Sequence, residues 1–268
     1  MTSPRERLHL VLERIRPFPT PRYRPTTPKR GSSDPWDPFF PPNAHTLGAA
    51  AMSSEAALAV AGVVGKLSAI EQHTTAEFFY RWGMGLFGQH WRHADQLTTL
   101  WAAATLIQPG SYLEVGVCRG RSAAVVGALR PQCAIYGFDM WIPDYAGAPN
   151  PGPDFVRDEL RAAGHQGELV LESGDSRATL PAFLARHPDL YFDLITVDGD
   201  KSVLGVAHDY ANALPRLKVG GIVVTDDIAM FPRLRRVWDR VIERDGRFVS
   251  WEYAEGGRGV AAAIRVRA

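Results

Sequence analysis

The sequence has few cysteines and no excess of charge of either sign, and each shortage disfavours a class of protein. Among 268 residues there are two cysteines, Cys118 and Cys133, too few for a small secreted domain held together by disulfides. The 30 lysine and arginine residues nearly balance 29 aspartate and glutamate residues, giving a formal net charge of +1. A protein that binds duplex nucleic acid usually has a basic excess, so we expect no nucleic-acid partner.

Long apolar runs are also lacking. The N-terminus, MTSPRERLHLVLERIRP, has no extended apolar core of the kind found in signal peptides. The most apolar later stretch, Thr46–Ile70, is interrupted by Glu55 and Lys66 and is too polar for a membrane-spanning helix. We therefore expect a cytoplasmic protein with no membrane partner, in which the 46% of apolar residues form a sizeable core.

The N-terminal part of the chain is rich in proline. Nine prolines lie in Arg16–Ala44, where they exclude regular helix and central strand. Two interpretations remain: a disordered leader, or a strap whose aromatic residues pack on a second subunit of a homo-oligomer, namely Tyr23, Trp36, Phe39 and Phe40. We divide the chain into a proline-rich arm (1–45), a helical cap or flank (46–108) and a main domain (109–268).

From Ser111 onward, apolar strand patterns alternate with helical patterns, which predicts parallel βαβ units. Strands are predicted at Tyr112–Val117, Ala134–Asp139, Glu168–Glu172, Phe192–Val197, Gly221–Thr225, Phe248–Tyr253 and Gly259–Val266. The last two flank a Gly-Gly turn and predict an antiparallel hairpin. The expected fold class is α/β: a doubly wound, mostly parallel seven-stranded sheet with a C-terminal antiparallel hairpin and an N-terminal helical extension.

A glycine turn follows the first predicted strand, in the segment LEVGVCRGRS that ends at Ser122. Gly116 and Gly120 allow a tight turn and a close approach of the backbone to a ligand, at the strand end where open α/β sheets bind ligands. The G-x3-G spacing differs from the dinucleotide pattern, which disfavours a dehydrogenase. Glu114 suits a cationic group such as the amino group of a methionine moiety. Taken alone, the motif is weak.

Acidic and hydroxyl residues end the second and third predicted strands. Asp139 is placed to accept hydrogen bonds from both hydroxyls of a ribose, and Trp141 either stacks on an adenine ring or packs in the core. After the third strand, Asp175 and Ser176 either contact the adenine or cap the next helix. Because Glu114 and Asp139 occupy equivalent strand ends, we favour the ligand interpretation.

Three more carboxylates end the fourth and fifth predicted strands, at Asp198, Asp226 and Asp227. Neighbouring strands lie about 4.8 Å apart, so these side chains can meet, and they repel one another unless they are paired or bind a metal. Oxygen ligands suit Mg²⁺ or another hard divalent ion. Lys201 either neutralises the cluster or acts as a general base; alternatively, one carboxylate touches ligand and the others cap helices.

Together these segments resemble class I S-adenosylmethionine-dependent methyltransferases, and particularly the metal-dependent O-methyltransferases of the catechol and caffeoyl-CoA type. LEVGVCRGRS, VDGDKS and LPRLKVGGIVVTDD resemble their first-, fourth- and fifth-strand motifs. The resemblance implies a Rossmann-like fold, S-adenosylmethionine as the cofactor, and Asp139 as the ribose ligand. It further implies Asp198, Asp226 and Asp227 as metal ligands and Lys201 as the base.

Some features depart from that type. The Asp-Asp pair, the GFDMW block around Asp139 and Phe231-Pro232 are similar to macrocin-type antibiotic-sugar O-methyltransferases, which usually carry histidine where Lys201 stands. We therefore expect a metal-dependent O-methyltransferase acting on a hydroxyl of a small molecule, such as a natural-product intermediate. The alternatives are a metal-independent methyltransferase with an N, C or O acceptor, and a non-catalytic cofactor-binding module.

Overall fold

The computed structural model of the protein describes residues 43–268. Its helices are α1 Ala44–Ala51, α2 Ser54–Val64, α3 Glu71–Phe87, α4 Gln96–Ile107, α5 Arg121–Leu129, α6 Pro153–Ala163, α7 Ser176–Arg186, α8 Val203–Ala213 and α9 Pro232–Trp238. Its strands are β1 Ser111–Val115, β2 Ala134–Asp139, β3 Leu169–Ser173, β4 Phe192–Val197, β5 Leu217–Asp226, β6 Phe248–Tyr253 and β7 Val260–Arg265. The proline-rich arm lies almost wholly outside the described residues.

The seven strands form one sheet in the order β3-β2-β1-β4-β5-β7-β6. The first five strands pair in parallel, whereas β7 pairs antiparallel with both β5 and β6. The order reverses between β1 and β4, so the carboxyl ends of these two strands border the crevice in which open α/β sheets bind ligands. The predicted fold class, including the C-terminal hairpin and the helical extension, is confirmed.

Alternate residues of each strand enter two separate cores, one on each face of the sheet. Tyr112 and Leu194 pack on one face with residues of the N-terminal helices and of α5 and α6. Leu113 and Ile195 pack on the other face with α7, α8 and α9. The helices before β1 thus share the core of the sheet; the division into arm, cap and main domain remains a prediction.

Two element boundaries differ from the expected ones for local reasons. The apolar spacing of residues 93–107 predicts a helix that begins at His93. The observed helix begins at Gln96, because Asp95 forms a capping box with Thr98. Strand β5 begins at Leu217 rather than Gly221, and its pairing with β4 shifts register between Phe192 and Leu194. A glycine inside a strand commonly marks such an irregularity. In the sequence alone, the same glycine indicates the end of a strand.

Among the described residues, no single helix is long and apolar enough to cross a membrane. The pair α1 and α2 passes the length and composition test together, but the two helices are bent by 58° at their break. Most residues on their inward faces, such as Leu47 and Val60, are fully buried in the protein core.

Candidate active site

The predicted glycine turn follows β1 and requires glycine at both positions. Gly116 has φ = 91°, and a β-carbon there would lie 2.5 Å from the carbonyl oxygen of Asp198. Gly120 has φ = 78° and is the N-cap of α5; a β-carbon there would lie 3.0 Å from Val156 Cγ1. Positive φ and close packing both exclude a larger residue, so the turn brings the strand ends of β1 and β4 into direct contact.

Glu114 is fully buried beneath this turn. One of its oxygens accepts a hydrogen bond from the Ser122 hydroxyl, whereas Oε2 is buried and has no hydrogen-bond partner among residues 43–268. Burial raises the pKa of Glu114 to about 8, although the bond from Ser122 opposes the shift. A buried acid with a free acceptor atom fits a cationic ligand group, as the sequence indicated.

Asp139, at the end of β2, joins two loops. One carboxylate oxygen accepts the backbone N–H of Cys118 in the glycine turn, and the other accepts the backbone N–H of Trp141, each at 2.7 Å. The Trp141 indole N–H donates to Ser173 Oγ at 2.9 Å, so the ring lies across the ends of β2 and β3. Asp139 and Trp141 therefore border the crevice; their predicted contacts with ribose and adenine remain predictions.

Asp175 and Ser176 follow β3, and both have protein partners. Asp175 is the N-cap of α7 and accepts the backbone N–H of Arg177 at 2.9 Å. The hydrogen-bonded Arg177 guanidinium also lowers the pKa of Asp175. The Ser176 hydroxyl donates to the buried Asp209 at 2.6 Å. The structure therefore contains the helix cap, which was the alternative interpretation of these two residues. The contacts of Asp175 and Ser176 with adenine remain predictions.

The three carboxylates expected to converge do so: Asp198, Asp226 and Asp227 each present an oxygen within 4.8 Å of the others. We call this set the three-aspartate cluster. Asp227 is 2% exposed, and among the described residues Asp226 has no ion-pair partner. Burial raises the pKa of Asp226 well above its ordinary value, and the charges of its two neighbours raise it further. Such a set of hard oxygen donors is suited to a divalent cation.

Lys201 lies against this cluster. Its ammonium group forms a hydrogen-bonded ion pair with Asp198 and lies 2.9 Å from Asp227 Oδ2. Burial lowers the pKa of Lys201, but the attraction of the two carboxylates exceeds this effect, so the net shift is upward. In this arrangement Lys201 is protonated and neutralises part of the cluster.

Two residues beside the cluster were missed by the sequence analysis. Gln96, the first residue of α4, donates from Nε2 to Asp198 Oδ2 at 3.2 Å. Arg258, in the hairpin turn, donates to Asp227 Oδ1 at 3.4 Å. Neither carries a sequence signal, because both reach the cluster from distant segments that only the folded chain brings together.

Backbone strain also concentrates around the site. The non-glycine residues Cys118, Trp141 and Asp227 all have positive φ, at 53°, 51° and 67°. This left-handed conformation is unfavourable for residues with a β-carbon and occurs preferentially at functional sites. The strained residues follow β1, β2 and β5, which are three of the strands whose carboxyl ends border the crevice.

Comparison with known proteins agrees with this arrangement. A sequence family described as "Methyltransferase domain" matches residues 113–228, a range that contains the glycine turn and the three-aspartate cluster. No protein of curated function matches the sequence.

Solved structures share the fold at low sequence identity. The O-methyltransferase TomG from Streptomyces achromogenes, in complex with S-adenosylmethionine, superposes with a TM-score of 0.54 at 18% identity, covering 75% of this chain and 92% of that chain. Cofactor-bound Rv0187 from MTB superposes with a TM-score of 0.51 at 19% identity, covering 80% and 89%. Residues 113–228 thus match a methyltransferase domain, and the described chain shares the fold of these two solved structures.

Proposed function

We propose that the protein is a divalent-metal-dependent O-methyltransferase that methylates a hydroxyl group of a small molecule. The observation that carries this proposal is the three-aspartate cluster. It lies at the carboxyl ends of β4 and β5, next to the glycine turn that approaches the backbone of Asp198. Methyl donor and metal-bound acceptor would therefore occupy neighbouring parts of one crevice.

The residues of the crevice match the parts of S-adenosylmethionine, which supplies an electrophilic methyl group when it is bound. The free oxygen of Glu114 suits the amino group of the methionine moiety, and Asp139 retains acceptor capacity for the ribose hydroxyls. Trp141, Asp175 and Ser176 border the adenine end. These residues fix the cofactor so that the acceptor oxygen and the methyl carbon are held in line, and much of the rate enhancement comes from that positioning.

The cluster residues fit a metal by their chemistry and their charge. Asp198, Asp226 and Asp227 would hold the cation. Among the described residues, only Lys201 and Arg258 form ion pairs with these three carboxylates, so the two positive charges do not balance the three negative ones. When it is bound, Mg²⁺ or a similar ion acts as a Lewis acid and lowers the pKa of a coordinated hydroxyl.

We propose Lys201 as the base. While Asp198 and Asp227 are free anions, they hold the ammonium form. Neutralisation of these carboxylates weakens that attraction and lowers the pKa of Lys201. The amine then accepts the proton of the acceptor hydroxyl. The resulting oxygen nucleophile attacks the methyl carbon as the bond from that carbon to the sulfonium sulfur breaks, and S-adenosylhomocysteine leaves.

Apolar side chains support an acceptor with a hydrophobic part. Met140, Ile142 and Tyr145 follow β2, Met230 follows β5, and all four are more than 40% exposed. Exposed apolar residues in loops that follow strand ends commonly line binding sites. We propose a natural-product intermediate with a hydroxylated apolar ring as the acceptor class.

The test is methyl transfer from S-adenosylmethionine to a panel of phenols and sugars, with Mg²⁺ or with excess EDTA. We expect EDTA to abolish turnover, added Mg²⁺ to restore it, and Asp227→Asn to lower it at least 100-fold. Asp158→Asn is the matched control, because that side chain is 72% exposed. Full activity in EDTA and in Asp227→Asn would favour the metal-independent enzyme, and cofactor binding without turnover would favour the non-catalytic module.

A further inference from the structure

An arginine inside the glycine turn has a set of contacts that cofactor binding does not explain. Arg119 stands immediately before Gly120, and only 6% of it is exposed. Its guanidinium donates hydrogen bonds to three backbone carbonyls of one segment: Pro149 at 2.7 Å, Ala148 at 2.6 Å and Tyr145 at 3.2 Å. Among residues 43–268, no carboxylate forms an ion pair with it. The buried charge is balanced by carbonyl dipoles of that segment.

The segment is the connection between β2 and α6, residues 140–152, which we call the β2–α6 loop. Its start is fixed by Asp139, which accepts the backbone N–H of Trp141. Its middle is fixed by Arg119. Because Arg119 belongs to the glycine turn, these bonds hold the loop against the part of the crevice where the cofactor binds.

The geometry of these bonds requires arginine. A planar guanidinium presents several N–H donors in a fixed arrangement, and hydrogen bonds from a charged donor are stronger than those between neutral groups. A lysine keeps the charge but has a single nitrogen, which does not reproduce donors on two nitrogens, Nε and Nη2, held in one plane. Three successive contacts to Tyr145, Ala148 and Pro149 therefore depend on the shape of the group as well as its charge.

The same loop also faces the acceptor side. Burial raises the pKa of the Tyr145 phenol, and Lys201 and Asp198 are the next largest influences on it. The phenol therefore lies within electrostatic reach of the three-aspartate cluster. A loop that is fixed at the glycine turn and reaches towards the cluster spans both halves of the crevice.

We propose that Arg119 is a positioning residue that holds the β2–α6 loop over the bound cofactor, so that the cofactor binds and leaves only when the three hydrogen bonds to the loop are broken. Arg119 acts through the loop and controls the rate of cofactor exchange. The proposal needs the domain to bind S-adenosylmethionine, and it is independent of the metal and of the identity of the acceptor.

The experiment measures dissociation of S-adenosylhomocysteine by stopped-flow displacement, followed by tryptophan fluorescence, in the full chain. Arg119→Gln and Arg119→Lys should both release the ligand at least tenfold faster. In both variants, hydrogen exchange of the backbone amides of Gly147 and Ala148, which donate to Asp144 and Tyr145 within the loop, should accelerate. Arg161→Gln is the control, because that arginine is 75% exposed and pairs only with Asp158 in the described chain; it should match the wild type.

Each other outcome overturns the proposal. Dissociation at the wild-type rate in both Arg119 variants excludes control by the loop. Full rescue by Arg119→Lys assigns the effect to charge rather than to the loop contacts. If Arg119→Gln does not fold, as judged by circular dichroism, the test is made on the wild type. S-adenosylhomocysteine should slow the exchange of the Gly147 and Ala148 amides, and unchanged exchange contradicts the proposal. A failed metal test leaves all these measurements interpretable, because none contains metal or acceptor.

Discussion

Gln96 donates a hydrogen bond to Asp198 across 102 positions of sequence. The first residue of α4 thereby orients a carboxylate at the end of β4, and the helical extension takes part in building the proposed metal site. Asp95, the N-cap of the same helix, lies close enough to contribute to the raised pKa of Asp226. The N-terminal helices thus influence the site chemically as well as by packing.

Replacing Gln96 by alanine should weaken methyl transfer and shift its pH dependence. Burial raises the pKa of Asp198, and the hydrogen bond from Gln96 opposes that shift. Loss of this bond therefore raises the pKa further, and the carboxylate forms at higher pH. We expect activity about fivefold lower at neutral pH, corresponding to one hydrogen bond of about 1 kcal/mol, with the acidic limb of the pH–rate profile moved upward. Gln166→Ala, at an exposed position, is the control; an unchanged acidic limb in Gln96→Ala would contradict the prediction.

Binding of Mg²⁺ should release protons. The pKa of Asp226 lies well above its ordinary value, and a cation favours the charged carboxylate, so the affinity for Mg²⁺ should rise with pH up to that pKa. Calorimetric titration in two buffers of different ionisation enthalpy measures the number of protons released. Asp226→Asn should release fewer protons than the wild type, whereas Asp158→Asn should release the same number. Equal release by wild type and Asp226→Asn would contradict this assignment.

Glu114→Gln should have opposite effects on stability and on cofactor binding. The pKa of Glu114 is about 8 in the folded protein against an ordinary value of 4.5, so folding takes up a proton between these values. Its contribution to stability is therefore full below pH 4.5 and declines as pH rises towards 8. The variant, which cannot ionise, should gain stability relative to the wild type across this window, as measured by urea unfolding.

At pH 8 the same variant should bind S-adenosylmethionine more weakly, because an amide lacks the negative charge that attracts the amino group. Calorimetry should show at least a tenfold higher Kd. Binding equal to that of the wild type would show that Glu114 does not contact the cofactor.

Gly116→Ala should lose both stability and cofactor binding. The new β-carbon would meet the Asp198 carbonyl at 2.5 Å, and φ = 91° is strained for alanine, which together cost at least about 1–3 kcal/mol. Gly62→Ala is the matched control, since nothing lies within 4 Å of its β-carbon position in α2. That control should be neutral or stabilised by up to about 1 kcal/mol. Thermal unfolding measures the stability of each variant, and the shift of the unfolding temperature on addition of S-adenosylhomocysteine measures cofactor binding.

The sheet and the convergence of the acids were predictable because they depend on local patterns. The alternation of apolar runs and helices located all seven strands, and parallel pairing places residues such as Asp198 and Asp226 at one edge. The early start of β5 was not predictable, because Gly220-Gly221 has the appearance of a strand boundary whether or not the ladder continues through a bulge.

Contacts made across long sequence separations were also missed. Gln96 and Arg258 are ordinary surface residue types in sequence, and only the packing of α4 and of the hairpin turn brings them to the three-aspartate cluster. Arg119 stood inside a recognised motif, yet its neighbours in sequence do not indicate that it binds the backbone of a loop about 30 residues further along the chain.

The left-handed backbone of Asp227 has a consequence for engineering. Glycine adopts φ = 67° without the steric penalty that aspartate incurs, so Asp227→Gly would relieve backbone strain. That substitution removes one carboxylate of the three-aspartate cluster and one ion-pair partner of Lys201. Relief of strain is therefore opposed by the loss of buried ion pairs. Under the proposed function the substitution also removes a metal ligand, so a glycine introduced here to stabilise the fold is expected to give an inactive protein.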